Sequence, residues 1–278
     1  MLLNGKVVRD SILSKLKKDI DKLDRKLSFV VIQIGNDNIS DIYIRSKERV
    51  ANELGIIFNY ILLDSNISND EVLDIIDKNN NDDMIDGIMI ELPVPSNIDY
   101  DLIRNRIKPS KDIEGISDIN IGNLVCGNYK LVSPTALAVM DLLEYYSIDV
   151  VGVNVVIVGR SNLVGKPLFN LLINKGATVT MCHSKTKDLS FYTKKADILI
   201  SCVGRSNFIN GNMVKDDSII IDVGTNIVDN KLCGDVDFAS VCDKVKGITP
   251  VPLGIGSITS IELVRNVYMA YKIRKDIE

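Results

Sequence analysis

One histidine, His183, serves the whole chain of 278 residues. A histidine-based metal site or a Ser-His-Asp triad does not assemble readily around one imidazole, and no metal is expected. Acid–base chemistry must then come from lysine, tyrosine or carboxylates. The five cysteines, Cys126, Cys182, Cys202, Cys233 and Cys242, include no C-x-x-C pair. An odd, scattered set without an export signal points to reduced thiols in the cytoplasm, each read as a small buried hydrophobe. No Lys/Arg block stands out and the net charge is -4, so neither nucleic acid nor an anionic membrane is an expected partner. No apolar run is long enough to span a bilayer, and the first residues, with charges scattered through them, are not a signal peptide. No repeat and no low-complexity linker interrupts the chain.

What is present is an alternation of apolar runs and helix-length segments. Strands are expected at 29–34, 58–63, 87–92, 153–158, 178–182, 198–203 and 218–223. Each is nearly continuous in Val, Ile or Leu, as parallel strands covered on both faces require. Helices are expected at 40–54, 69–79, 134–146 and 166–175, with one more over 257–277. The pattern predicts an α/β protein of two domains with parallel sheets, the second of Rossmann type, with a ligand cleft between them. The stretch 107–133 lacks clear periodicity and separates the two blocks, so the boundary is placed near residue 134.

The segment VVIVGRSNLVGKP, from Val155 to Pro167, ends a strand at Gly159 and opens a helix. Its glycines, Gly159 and Gly165, stand one residue too far apart for G-x-G-x-x-G and for a P-loop. The physics still suits an anion: a tight turn, a helix N-terminus with free N–H groups, and Arg160 and Ser161 in the same loop. The next strand runs into His183-Ser184-Lys185. It lacks the carboxylate that NAD-binding domains place there for the ribose, and carries groups that attract a 2′-phosphate. NADP is therefore expected over NAD. A strand–turn–helix corner with no cofactor is the plainer reading of this loop alone.

In the first block, Tyr43 and Lys47 share one helix face at i and i+4. A tyrosine beside a lysine can move a proton, although such a pair alone is more often a half-buried ring beside a solvated amine. Glu91-Leu-Pro93-Val-Pro95 follows a strand end, Lys111-Asp-Ile-Glu114-Gly115 puts an acidic pair before glycine, and Pro250 to Thr259 opens the last helix with dense proline and glycine.

YIRSK, ELPVP, KDIEG, VVIVGRSNLVGKP, TVTMCHSKT, ADILISCVG, IIDVGTN, GDVDF and ITPVPLGIGSIT, in this order over nearly the whole chain, resemble the bifunctional methylenetetrahydrofolate dehydrogenase/cyclohydrolase family. The resemblance implies a folate-binding catalytic domain from residues 1–133 and 258–278, and an NADP-binding Rossmann domain at 134–257. It implies hydride transfer from methylenetetrahydrofolate to NADP, then hydrolysis of the methenyl product to formyltetrahydrofolate. Lys47 is the catalytic lysine by motif position, with Tyr43 against the folate and Glu114 at the pterin position. Pro252 and Gly254 belong to a folate-side loop. Gly159, Arg160, Ser161, Gly165, Ser184 and Thr225 fall at cofactor positions. The family is typically a cytosolic homodimer.

Several positions depart from the family's pattern. Glu91 replaces a glutamine, Glu114 an aspartate, Leu253 a glycine and Ser257 a proline; the folate-side P-C-T-P is altered around Ser133-Pro-Thr135-Ala, and D-V-G-I-N reads DVGTN. A carboxylate at Glu91 would favour the charged form of Lys47, a poorer general base near neutral pH. The expectation is that dehydrogenation survives and cyclohydrolysis weakens, unless Glu91 is itself protonated and mimics glutamine. A short-chain dehydrogenase, which also uses Y-x-x-x-K, would place that pair after the nucleotide turn, not before it. The remaining alternatives are a dehydrogenase only, or a catalytically silent NADP-binding protein.

Overall fold

The computed structural model describes residues 1–36, 38–229 and 231–277, and of residues 38–42 the backbone only. In chain order the first elements are α1 (Gly5–Ile20), β1 (Ser28–Ile34), α2 (Asn38–Glu53), β2 (Ile57–Leu63), α3 (Asn69–Asn81), β3 (Gly87–Ile90), α4 (Tyr100–Arg106) and α5 (Asp118–Val125). Then come α6 (Pro134–Tyr145), β4 (Asn154–Val158), α7 (Gly165–Asn174), β5 (Thr178–Cys182), α8 (Leu189–Thr193), β6 (Ile198–Ser201) and β7 (Ile219–Asp222). The chain closes with β8 (Asn226–Val228), β9 (Lys231–Cys233), α9 (Phe238–Val241), β10 (Gly247–Ile248) and α10 (Gly256–Arg274). Every strand expected from the sequence forms within a few residues of its predicted ends.

The chain divides into two compact units, one of Ile12–Pro134 with Ser260–Glu278, the other of Met1–Ser11 with Thr135–Thr259. In the first, three parallel strands lie in the order β2-β1-β3. All of β1 is buried, which is why SFVVIQI carries no solvent-facing alternation. Its core joins Val30, Ile32, Ile88 and Ile90 to Ile76 of α3 and Ile103 of α4. Beyond β3 the chain adds one more parallel bridge, Ile88 to Asp112. That bridge is anchored by Lys111, whose buried Nζ donates to the carbonyls of Asn79 and Asp82 at the end of α3. Burial pushes this lysine down to about 8. Asp86, fully buried, receives Arg25 in a two-pronged pair and Arg274 of α10.

The second unit holds a parallel sheet in the order β10-β7-β6-β4-β5. The order reverses beside β4, since β5 lies on one side of it and β6 on the other. In open α/β sheets the crevice outside such carboxyl ends is where ligands bind. Residues 1–11, grouped by sequence position with the first block, belong to this unit because the N–H of Leu3 donates to the Ile248 carbonyl of β10. Beyond the expected elements, α5 forms inside the stretch read as aperiodic. Ser117 caps it by accepting from the N–H of Asn120, and eight residues are too few to display a helical period. Cys126 is an exposed thiol at the end of this helix, unlike the buried Cys182. No helix among the described residues is long and apolar enough to cross a membrane.

Candidate active site

Lys47 lies on α2 one turn after Tyr43, and Glu91 is the first residue beyond β3. The backbone N–H of Glu91 continues the ladder to Ile32, so its side chain is fixed at the carboxyl edge of the sheet. There Nζ of Lys47 donates to Oε2 of Glu91 over 2.6 Å. Tyr43, on the same helix as Lys47, is 43% exposed.

Lys47 and Glu91 both act on Glu114. It is partly exposed as a residue, yet its Oε2 is enclosed and without a hydrogen-bond partner. Burial raises its pKa to about 8; Lys47 opposes this, while Glu91 and Asp112 add to it. At neutral pH it is therefore mostly an uncharged acid with a proton to donate. Two supports place it. The turn at Gly115, with φ of +61°, lies so close to Val132 that a Cβ would sit 2.5 Å from its Cα. The buried Asn266 of α10 donates to the carbonyls of Ile113 and Val132 together. Tyr100 faces Glu114 with a buried hydroxyl that has no partner, and burial raises its pKa. Tyr100 and Asn266 escaped the sequence reading, because neither sits in a motif and only the fold brings them to Glu114.

In the second unit, Gly159 has φ of +131°, and a Cβ there would lie 2.5 Å from Sγ of Cys202. A Cβ on Gly165 would strike the carbonyl of Gly159. The two glycines thus pack backbone on backbone at the end of β4, which accounts for their spacing. The expected free N–H groups at the start of α7 are already engaged. Oγ of Ser161 accepts from Val164 and Gly165, its carbonyl accepts from Lys166, and Pro167 has no N–H to offer. What the turn presents to an anion is the exposed guanidinium of Arg160 and the proton of the Ser161 hydroxyl, with the helix dipole behind them. Ser184 and Lys185 are exposed in the turn after β5, shaped by His183, whose Nδ1 accepts from the N–H of Lys185. Thr225 is exposed in the loop after β7.

Pro252 and Gly254 also fall in this unit. Pro252 is exposed, whereas Gly254 is buried so tightly that a Cβ would meet the carbonyl of Pro250. Between them Leu253 adopts φ of +74°, and its carbonyl accepts from the N–H of Gly5.

Residues 3–114 match the family model for the catalytic domain of tetrahydrofolate dehydrogenase/cyclohydrolase, and residues 133–275 match the model for its NAD(P)-binding domain. The chain is 42% identical to the bifunctional protein FolD of Halalkalibacterium halodurans, over 98% of this chain and 99% of that one. The crystal structure of FolD, a methylenetetrahydrofolate dehydrogenase/cyclohydrolase from Campylobacter jejuni, superposes with a TM-score of 0.96 at 40% identity, covering 99% of each chain. The FolD of Trypanosoma brucei, solved with NADP cofactor and inhibitor, has a TM-score of 0.94 at 30% identity, covering 99% of this chain and 98% of that one.

Proposed function

The chain belongs to the tetrahydrofolate dehydrogenase/cyclohydrolase family, and from that membership we propose how its own residues divide the work of a bifunctional enzyme. The enzyme oxidises methylenetetrahydrofolate to methenyltetrahydrofolate with NADP and hydrolyses the product to formyltetrahydrofolate. NADP accepts the hydride that leaves the methylene carbon.

The unit of Ile12–Pro134 with the last helix binds the folate, and the Rossmann-type unit binds NADP. Lys47 is the acid–base group, Tyr43 supports the ring system, and neutral Glu114 donates to the pterin. The observation that carries this reading is the Lys47–Glu91 pair beside the unpartnered Oε2 of Glu114. An enclosed carboxyl without a partner marks a place where a ligand supplies one. Glu91 ties up the Lys47 amine in a short ion pair, which leaves that amine less available to water at the methenyl carbon. Cyclohydrolysis is the step this slows. In the second unit Arg160, Ser161 and Ser184 receive the cofactor's phosphates, and the absence of a carboxylate after β5 suits a 2′-phosphate.

The functional unit is a homodimer in the cytoplasm. The outer edge of β2 is unpaired among the described strands and exposes Ile57, Tyr60 and Leu62, a surface that supports pairing with a second copy. The five unpaired cysteines suit a reducing compartment.

The test is to mix the protein with methylenetetrahydrofolate and NADP while following NADPH and the methenyl chromophore together. NADPH should rise with a transient build-up of methenyl that clears faster than the uncatalysed rate. A flat NADPH trace with both NADP and NAD would overturn the assignment.

A further inference from the structure

Two buried aspartates of the Rossmann-type unit, Asp222 at the end of β7 and Asp235 just after β9, have no place in the chemistry above. Asp235 is fully buried. Its Oδ2 accepts from the N–H groups of Val203 at 2.7 Å and Gly204 at 3.3 Å and from the hydroxyl of Ser201 at 3.1 Å. Its Oδ1 accepts from the N–H of Arg205 at 2.8 Å and from Nδ2 of Asn226 at 3.2 Å. Successive N–H groups converge there because Gly204 takes a φ of +65°. Such a concavity of amides binds anions, and here the protein fills it with its own carboxylate.

Asp222 holds Asp235 in turn. Its Oδ1 accepts from the N–H of Asp235 at 2.9 Å and of Gly224 at 3.0 Å, and its Oδ2 accepts from Val236 at 2.9 Å. The two carboxylates pack against each other's glycines: a Cβ on Gly224 would collide with Asp235, and one on Gly234 with Asp222. Thr225 therefore sits between two pinned neighbours, Gly224 on Asp222 and Asn226 on Asp235.

We propose that Asp235, steadied by Asp222, is the positioning residue for the cofactor: it locks the turn after β6 to the loop after β7. These are strand ends at the crevice side of the sheet, and the turn 203–205 borders the residue, Cys202, that packs on Gly159. The proposal rests on the reading that this unit binds NADP. It also implies that the amides of Val203, Gly204 and Arg205 do not bind the pyrophosphate, which is left to the turn from Gly159 to Gly165.

Asp235→Asn tests it. The substitution keeps the shape but turns an amide N–H₂ toward N–H donors on one side or the other. The dissociation constant for NADP should rise at least tenfold, with cyclohydrolase activity on methenyltetrahydrofolate within twofold of wild type. Amide exchange at Val203 and Arg205 should quicken while the strand amides of β4 stay protected. A folded Asp235→Asn protein with NADP affinity within twofold of wild type overturns the proposal. If that variant does not fold, Ser201→Ala decides, since it removes one donor to Oδ2. A threefold or larger loss of NADP affinity at an unchanged melting temperature supports the lock, and unchanged affinity overturns it. Wild-type protein that does not bind NADP at all refutes the underlying reading instead.

Discussion

Lys47 and Glu91 form an ion pair at 2.6 Å in which the side chains retain only 12% and 7% of their exposure. Removing one member of so enclosed a pair leaves a charge without its partner. Lys47→Met should abolish cyclohydrolysis and destabilise the protein by about 3 kcal/mol, since an uncompensated buried carboxylate costs ~3–5 kcal/mol. Adding Glu91→Gln to that variant should recover most of the stability and none of the activity. Urea unfolding of the two single variants and the double variant measures the coupling, and additive effects would contradict the pairing.

Glu91→Gln alone separates the two activities. The amide still offers an oxygen to Lys47 but no longer balances its charge. The lysine is then no longer tied to a full negative charge, and its amine is freer to serve the reaction. Cyclohydrolase turnover near neutral pH should rise about tenfold, the change expected for ~1.4 kcal/mol of transition-state stabilisation. The dehydrogenase rate should stay within a few-fold. An unchanged cyclohydrolase rate would mean that the charge of Glu91 does not restrain Lys47.

Glu114 makes stability depend on pH in a known direction. Burial raises its pKa from 4.5 to about 8 in the folded protein. The folded state then binds more protons than the unfolded state between these values. The stabilisation is fully present below pH 4.5 and is lost as pH rises through 8. Over that window this group lowers stability by up to about 1.4 kcal/mol per pH unit. Glu114→Gln should remove that slope in urea midpoints taken from pH 5 to 9. The variant should therefore gain on wild type as pH rises; a constant difference between the two would contradict the enclosed, unpaired carboxyl.

The strands were legible because burial on both faces writes itself as unbroken apolar runs, as in β1, β4 and β7. The candidate site was legible because Lys47, Glu91 and Glu114 fall in short motifs, on α2, just beyond β3 and before the turn at Gly115, and the fold brings Lys47 and Glu91 into contact. The hidden parts depend on convergence in space. Asp235 gathers donors from two separate loops, and Asn266 reaches Ile113 from a helix far along the chain. Neither relation has a period or a spacing. The helix N-terminus of α7 misled for a local reason: Ser161, read as a ligand group, first satisfies the helix's own N–H groups.

The open edge of β2 gives a test of assembly. Leu62 is 52% exposed on the outermost strand of its sheet, beside Tyr60. A lysine there would place charge on an apolar edge, a device that blocks edge-to-edge pairing. If the proposed dimer pairs through this edge, wild-type protein runs as a dimer and Leu62→Lys as a monomer in light scattering coupled to size exclusion, with little loss in melting temperature. A variant that remains dimeric at micromolar concentration would exclude this edge as the interface.

Gly159 and Gly165 meet backbone to backbone at the end of β4. The carbonyl of Gly159 occupies the space that a Cβ on Gly165 would need, and backbone on both sides leaves nothing flexible to move aside. In an ordinary helix Gly→Ala gains about 1 kcal/mol. Here the sign should reverse, because the turn must open to admit the methyl group. Overpacking against backbone costs ~1–3 kcal/mol, and the displaced turn carries Arg160 and Ser161 away from the phosphates they are proposed to receive. Gly165→Ala should thus lower the melting temperature and weaken NADP binding together, while the melting response to a folate ligand persists. Thermal shifts with each ligand in turn measure both effects. A stabilised variant with wild-type NADP affinity would show that the two glycines do not touch as described.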